Sequence, residues 1–339
     1  MKQLGKALLW VLIFAAGLLG MDRAMRRDDG KIRYDVFFED QAGFDICLLG
    51  NSHVLDGIYP IELWRDHGMT AFNFGNTNEP MTNTYWTLRL MMKYHKPKVA
   101  VIDVSYIDRT QETEIARYRF AHDFLDQVPL SMEKIRAVYD LFPKGKRQEF
   151  LFQLSLYHSR WEEYIQGKPE LYMNVEPCMF GAELRAGRHE PDEYVRTQEI
   201  AGEPAQGEQA LCSLIELCLS EGITPVLTVV PFPVPQEMQT KINRAQLVAD
   251  CYGVSFVNLL DVEGLVDFQT DCYDAASHLN PDGATKVTAY LGQWLSENCD
   301  LEDHRGDARY AHWDAALKEY KKLRSEKWSS MSTIDGSKQ

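Results

Sequence analysis

The chain has 339 residues, 45% of them apolar and 25% charged, enough to bury one large core and, by length alone, up to about two domains. A formal net charge of -14 argues against nucleic acid as a partner, because that affinity comes from Lys and Arg neutralising phosphates, and no basic run with interleaved aromatics is present. Seven cysteines, odd in number and without a C-x-x-C pair, give no support for a metal site; they read as small buried hydrophobes, at most a minority of them disulfide-bonded.

At the N-terminus, Ala7 to Met21 is continuously apolar and follows Lys2 and Lys6. Its length lies between a signal-peptide core and the roughly 20 residues of a membrane span, which Leu4 and a snorkelling Lys6 help to complete. No A-x-A cleavage pattern follows, so residues 1–25 are expected to form an uncleaved membrane anchor. Arg23, Arg26 and Arg27 outnumber the two lysines, and by the positive-inside rule that points away from export.

Five apolar runs then have the character of buried parallel strands: Ile46–Leu49, Ala71–Phe74, Val99–Val104, Pro225–Val230 and Ser255–Leu259. Helical patterns at Ile61–Asp66, Asn83–Tyr94, Gly207–Glu221, Gln236–Cys251 and Asp282–Glu297 alternate with them. This order predicts an α/β domain over about residues 40–298, with right-handed crossovers on a doubly wound parallel sheet. More than a hundred residues separate the third and fourth runs. Within that insertion Met132–Leu141, Gln148–Ile165 and Pro191–Glu199 look helical, as a subdomain laid over the carboxyl ends of the strands would be. Beyond Asn298 the expectation is a C-terminal extension with an amphipathic stretch at Ala311–Leu323 and a disordered tail, Ser329–Gln339.

Two segments carry chemistry. Asp45-Ile46-Cys47-Leu48-Leu49-Gly50-Asn51-Ser52-His53 runs a strand into a small-residue turn ending on a serine, and Asp274-Ala275-Ala276-Ser277-His278 sets a carboxylate and an imidazole ahead of a helix. A serine hydroxyl becomes a nucleophile when a base takes its proton and a third group orients the base, so Ser52, His278 and Asp274 gain meaning as a set. Both segments follow strands and should emerge at one sheet edge. His53 reads as a local hydrogen-bonding group and a candidate substrate contact.

These residues resemble the SGNH (GDSL-like) hydrolases over roughly residues 44–295. Gly50-Asn51-Ser52-His53 looks like the G-D-S block, with Asn51 in place of the aspartate, and Ser277-His278-Leu279-Asn280-Pro281-Asp282-Gly283-Ala284 looks like the block of the catalytic histidine. Phe72-Asn73-Phe74-Gly75 is similar to the block whose glycine amide joins the serine amide in the oxyanion hole. The resemblance implies a flavodoxin-like three-layer fold of about five strands with a helical insertion between strands 3 and 4, Ser52, His278 and Asp274 as catalytic residues, and no metal or organic cofactor. Two departures stand out. Asp274 lies four residues before His278, one more than in the family pattern, so a bulge is expected and Asp271 is an alternative orienter. Asp103-Val104-Ser105-Tyr106 stands where a G-x-N-D block would follow the third strand, which leaves Asn76 and Asn78 as candidate oxyanion donors.

Ile58-Tyr59-Pro60, Leu63-Trp64, Asn83-Thr84-Tyr85 and Tyr157-His158-Ser159-Arg160-Trp161 resemble membrane-anchored bacterial members of the superfamily, related to D-alanine transfer proteins of teichoic-acid modification and to polysaccharide O-acetylation proteins. That relation implies an extracytoplasmic domain acting as an esterase or O-acyltransferase on acyl groups of a cell-surface polysaccharide. His158, Arg160 and Trp161 are candidate substrate contacts, since an aromatic beside a bidentate donor suits sugar or carboxylate. The alternative is a non-catalytic accessory protein that binds polysaccharide or a multi-span membrane O-acyltransferase. A third reading is a cytoplasmic α/β enzyme with an incidental apolar start.

Overall fold

In the computed structural model, which describes residues 2–25, 28–109, 120–167, 175–189, 194–275 and 277–335, five strands pair in parallel in the order β2-β1-β3-β4-β5. They are β1 (Ile46–Leu49), β2 (Ala71–Asn73), β3 (Val99–Asp103), β4 (Thr224–Val229) and β5 (Ser255–Asn258). Register sets Ile46 against Ala71 on one side and Val99 on the other, Asp103 against Thr228, and Val229 against Asn258. The doubly wound α/β architecture expected from the alternation is present. β1, β2 and β3 are buried throughout, as strands covered by helices on both faces must be. β5, at the edge opposite β2, is less covered, with Ser255 exposed and Val257 alone buried.

Helices α1 (Lys2–Ala24) and α2 (Asp28–Glu39) precede the sheet, α3 (Ser52–Gly57) and α4 (Pro60–His67) join β1 to β2, and α5 (Met81–Met91) joins β2 to β3. The excursion to β4 holds α6 (Ala121–Leu125), α7 (Met132–Leu141), α8 (Arg147–Leu151), α9 (Leu154–Tyr157), α10 (Trp161–Gln166) and α11 (Glu208–Ser220). After β4 come α12 (Gln236–Ile242) and α13 (Arg244–Tyr252), and after β5 come α14 (Phe268–Asp271), α15 (Pro281–Asn298) and α16 (Ala311–Asp335).

The residues group into two compact units, Met1–Lys31 with His122–Met173 and Ile32–Ala121 with Asn174–Gln339. Residues of the long excursion between β3 and β4 fall in both units. In the first unit, Gln3–Ala24 is long and apolar enough to cross a membrane, and its apolar stretch is not buried; α1 spans about 34 Å at about 1.5 Å per residue. Arg26 and Arg27 lie outside the described residues. α7 has the expected limits and is capped by the Ser131 hydroxyl, which accepts the Lys134 amide at 3.2 Å. The single helix expected over Gln148–Ile165 is instead α8, α9, a 3-10 turn at His158–Arg160 and α10. Tertiary bonds compete at the breaks: the Asp22 carboxylate takes the Leu154 amide at 2.6 Å, and Arg160 Nη1 donates to the Met25 carbonyl at 3.0 Å.

In the second unit, residues 194–199 form no helix or strand where a helix was expected, and 191–193 lie outside the described residues. Their backbone groups bond to α12 side chains: the Thr197 amide donates to Gln239 Oε1 at 3.0 Å, and Gln239 Nε2 donates to the Val195 carbonyl at 2.8 Å. The helical pattern of Gln236–Cys251 is divided at Asn243, whose amide donates to the carbonyls of Thr197 and Glu199. All seven cysteines are free thiols, and Cys47, Cys178, Cys218 and Cys272 are buried.

The C-terminal tail is a correction. The chain is helical to Asp335, because α16 has a core to cover: Trp313 is fully buried and stacks on Phe180 at 3.6 Å and on Trp64 of α4 at 5.4 Å. Residues 336–339 lie outside the described residues. Below Trp313, the buried Glu62 carboxylate of α4 accepts the Tyr320 hydroxyl, Arg324 Nη1 at 2.9 Å and the Thr285 hydroxyl of α15 at 2.9 Å. Glu62→Ala leaves the buried Tyr320 hydroxyl without its acceptor, whereas Arg324 keeps Asp282. The expected loss is about 3 kcal/mol, and about 1 kcal/mol for Tyr320→Phe, read as lower urea midpoints at unchanged slope.

Candidate active site

Ser52 is the first residue of α3 and Asn51 its N-cap; Asn51 Oδ1 accepts the His53 amide at 2.8 Å. The turn needs glycine at Gly50, where an added Cβ would sit 2.6 Å from Val54 Cγ2 and 2.7 Å from Asp103 Cβ. Asn51 Nδ2 donates to Ser105 Oγ at 2.6 Å, and the Ser105 hydroxyl and backbone amide both donate to Asp103 Oδ1. Asp103 Oδ2 accepts the Val230 amide at 2.8 Å. One buried carboxylate thus ties together the ends of β1, β3 and β4 at the point where the strand order reverses, the usual ligand crevice of such sheets. Burial pushes Asp103 up to about 6, against the hydrogen bonds from Ser105 and Val230.

His278 stands in a loop closed at its neck by the Cys272–Leu279 bridge and by the Tyr273 amide donating to the His278 carbonyl at 2.9 Å. Asn280 then caps α15, accepting the amides of Asp282 and Gly283, with Pro281 at the first helical position. The extra residue between Asp274 and His278 is absorbed by Ser277 in a left-handed conformation, φ +59°, its amide donating to the Asp274 carbonyl at 2.9 Å; Ala276 lies outside the described residues. The loop brings three expected residues together. His278 Nδ1 lies 2.9 and 3.1 Å from the two Asp274 oxygens, and Nε2 lies 2.8 Å from Ser52 Oγ. With the proton on Nδ1, Nε2 accepts from the serine hydroxyl. Asp274 Oδ1 also accepts the His278 amide at 3.0 Å, which fixes the carboxylate against its own histidine. Asp271 is elsewhere, accepting from Lys286 at 2.6 Å and from the Asp267 amide at 2.9 Å.

Burial lowers the His278 pKa, but the hydrogen bond that its Nδ1 donates to Asp274 and the negative fields of Asp56 and Asp274 outweigh it, so the net shift is upward. Asp56 is buried and accepts the Tyr273 hydroxyl at 2.9 Å; burial and the nearby Glu183 push it up to about 7. The His278 ring lies between Tyr273, 5.7 Å away, and His53, 4.7 Å away, and His53 in turn stacks on Phe232 at 3.9 Å. Burial, then the positive charges of His278 and Arg109, hold the His53 pKa well below its usual value, so His53 is neutral. It is 2% exposed, and a substrate contact through its side chain is not what its position offers.

The candidate oxyanion donors are largely engaged. Asn73, at the end of β2, sends both N–H groups to the carbonyls of Val54 and Ile58, and its Oδ1 takes the Gly75 amide at 2.8 Å. Asn76 Nδ2 donates to the Phe120 carbonyl and Glu79, and Asn78 Oδ1 accepts from Arg109 at 3.0 Å. The Ser52 amide, first in its helix, has no intrahelical acceptor. Gly75 is required for a different reason: a Cβ there would run into the Leu55 backbone nitrogen and come within 2.9 Å of the Asn51 carbonyl. Arg33 of α2, buried, supports the same turn, donating to the carbonyls of Asn73, Gly75 and Gly181.

His158, Arg160 and Trp161 belong to the other unit. Arg160 is buried and engaged by Met25 and Glu163, so its fork is not presented to a substrate. His158 bonds to the Ser155 carbonyl at 3.3 Å, and Trp161 is half exposed. Among the described residues no group of three or more His, Cys, Asp or Glu side chains is placed to hold a metal ion. Arg33 did not stand out in the sequence, and Asp103 did so only as part of the segment standing in for a G-x-N-D block; a carboxylate closing a fully apolar strand was the signal for its structural role, since a buried charge must find donors.

No protein-family model matches the chain, and no curated protein matches it. Among solved structures it is similar to one described as a lipolytic protein of the G-D-S-L family from Desulfitobacterium hafniense DCB-2, at 11% identity and a TM-score of 0.37, over 73% of this chain and 97% of that one. A superposition that loose fixes neither fold nor activity.

Because the folded-state value of Asp103 lies above the 3.8 of an unfolded chain, the folded protein holds that proton more tightly. The stability cost of ionising Asp103 in the folded protein is therefore absent below about pH 4 and fully present above about pH 6. Relative to wild type, Asp103→Asn should gain about 3 kcal/mol across that interval, on top of any pH-independent offset from the amide facing Val230. Denaturant unfolding of both proteins at several pH values checks this; parallel curves would contradict it.

Proposed function

We propose that this protein is a membrane-anchored SGNH-type serine esterase or O-acyltransferase acting on acyl groups of a cell-surface polysaccharide. The observation that carries the reading is the unbroken relay from Asp274 through His278 Nδ1 and Nε2 to Ser52 Oγ, with contacts of 2.9 and 2.8 Å. The apolar helix Gln3–Ala24 supports anchoring, and the sequence resemblance supports an extracytoplasmic domain and a polysaccharide substrate.

Ser52 Oγ attacks the acyl carbonyl carbon while its proton passes to His278 Nε2, and the Ser52 amide donates to the oxyanion. Collapse breaks the ester bond, and the leaving alkoxide takes the proton from Nε2. Water or a sugar hydroxyl, deprotonated by His278, then discharges the acyl group from Ser52. Asp274 holds the imidazole in the accepting tautomer and stabilises the imidazolium. Loss of one oxyanion donor typically costs about 3 kcal/mol of transition-state stabilisation, so with Gly75 engaged by Asn73 the enzyme should be slow on simple esters.

That same engagement favours a second reading, a non-catalytic protein that keeps the fold and binds polysaccharide or a multi-span membrane acyltransferase. The two part in one experiment. As an enzyme, the protein is labelled by a fluorophosphonate and turns over p-nitrophenyl acetate, and Ser52→Ala abolishes labelling and lowers turnover at least about a thousandfold. Equal labelling of both proteins without turnover sinks the catalytic reading.

The base must be neutral to accept the proton, and the His278 pKa is raised, so the acylation rate should climb with pH through a midpoint above the ordinary 6.5. Asp274→Asn removes the hydrogen-bonded charge and leaves burial to dominate. The midpoint should move down and the rate fall by about two orders of magnitude or more. A pH–rate profile on a simple acetyl ester reads both effects.

A further inference from the structure

Three side chains beside the end of α1 are exposed and apolar: Leu156 of α9 is 40% exposed, Trp161 of α10 50% and Ile165 of α10 76%. Trp161 and Ile165 are four residues apart and share one helix face. Single exposed hydrophobes are ordinary, but these lie in a segment fastened to the apolar helix itself. The Asp22 carboxylate, inside α1, caps the Leu154 amide at 2.6 Å, two residues before Leu156. The Met25 carbonyl, one residue past α1, accepts from Arg160 at 3.0 Å, and Arg160 is the neighbour of Trp161. All of these residues belong to the same compact unit.

We infer that Leu156, Trp161 and Ile165 seat in the headgroup region of the bilayer that α1 enters, so that α9 and α10 form a second, interfacial contact with lipid. The inference rests on the anchor reading above, because a bilayer around α1 brings its surface to Asp22 and Met25 and therefore to the residues bonded to them. Tryptophan suits that boundary, with an apolar ring and a polar N–H. Arg160 is paired with Glu163 at 3.0 Å and Glu162 is exposed, so the contact is apolar and should not depend on anionic lipid. A lipid surface fits better than a protein groove, since it needs no matching shape for side chains spread over two short helices.

The test uses the full chain reconstituted in phosphatidylcholine vesicles with brominated acyl chains, comparing wild type, Trp10→Phe and Trp161→Phe. Trp10 lies within α1, so its contribution to quenching reports insertion of the helix. The expected result is that both variants lose quenchable emission, Trp161 most with bromines placed near the headgroups, and that adding anionic lipid changes neither. Leu156→Trp on the Trp161→Phe background should restore quenching. Quenching at Trp10 with none at Trp161 or at the position 156 tryptophan overturns the inference and leaves the anchor intact. A Trp161 shielded in a concentration-dependent way but unquenched assigns the face to a second copy and likewise overturns it. No quenching at Trp10 overturns the anchor reading, and this inference with it.

Discussion

The Asp103 carboxylate holds the site together. It sits at the end of the central strand β3, buried, and its two oxygens collect the Val230 amide from the end of β4 and the Ser105 amide and hydroxyl. Ser105 passes the connection to Asn51, and Asn51 to the His53 amide, so the turn that presents Ser52 is positioned from two strands away. A charge taken out of water is tolerated only when donors surround it, and its position at the strand ends is where such donors converge. The raised pKa of Asp103 records that burial is only partly offset.

His278 is fixed in a different manner. The Asp274 carboxylate grips both its amide and its Nδ1, while the stack from Tyr273 through His278 and His53 to Phe232 limits ring rotation. Two supports therefore meet at the 2.8 Å contact between His278 and Ser52, one arriving through β1, β3 and β4 and the other through the loop before α15, and His53 belongs to both. In the proposed mechanism, preorganisation of this kind would remove the cost of assembling base and nucleophile in each cycle. The second candidate oxyanion donor is engaged, because the Asn73 side-chain oxygen accepts the Gly75 amide.

Much of this was legible in the sequence, for identifiable reasons. Buried parallel strands are near-continuous apolar runs, so β1 to β4 declared themselves, and Ser52 and His278 could be placed at one edge because both follow strands. Asp274 was expected, with Asp271 as the alternative, and the four-residue offset is accommodated by Ser277 accepting a positive φ. Arg33 was invisible: its partners are carbonyls, which leave no trace in side-chain pattern. The helix expected over Gln148–Ile165 failed where Asp22 and Met25, more than a hundred residues earlier, supply competing hydrogen bonds. The tail beyond Ser329 looked polar enough for disorder, yet α16 is anchored upstream by Trp313 and by the buried Glu62 cluster and carries its helix onward to Asp335.

The central claim is that Ser52, activated by His278, takes the acyl group. It is tested most directly by mixing the purified protein with an acetyl ester, quenching in acid within a turnover, and locating the acetyl group by peptide mass spectrometry. The account predicts an acetyl adduct on the peptide carrying Ser52, absent from His278→Ala. Turnover with no adduct at Ser52, or an adduct that forms equally well without His278, would contradict it.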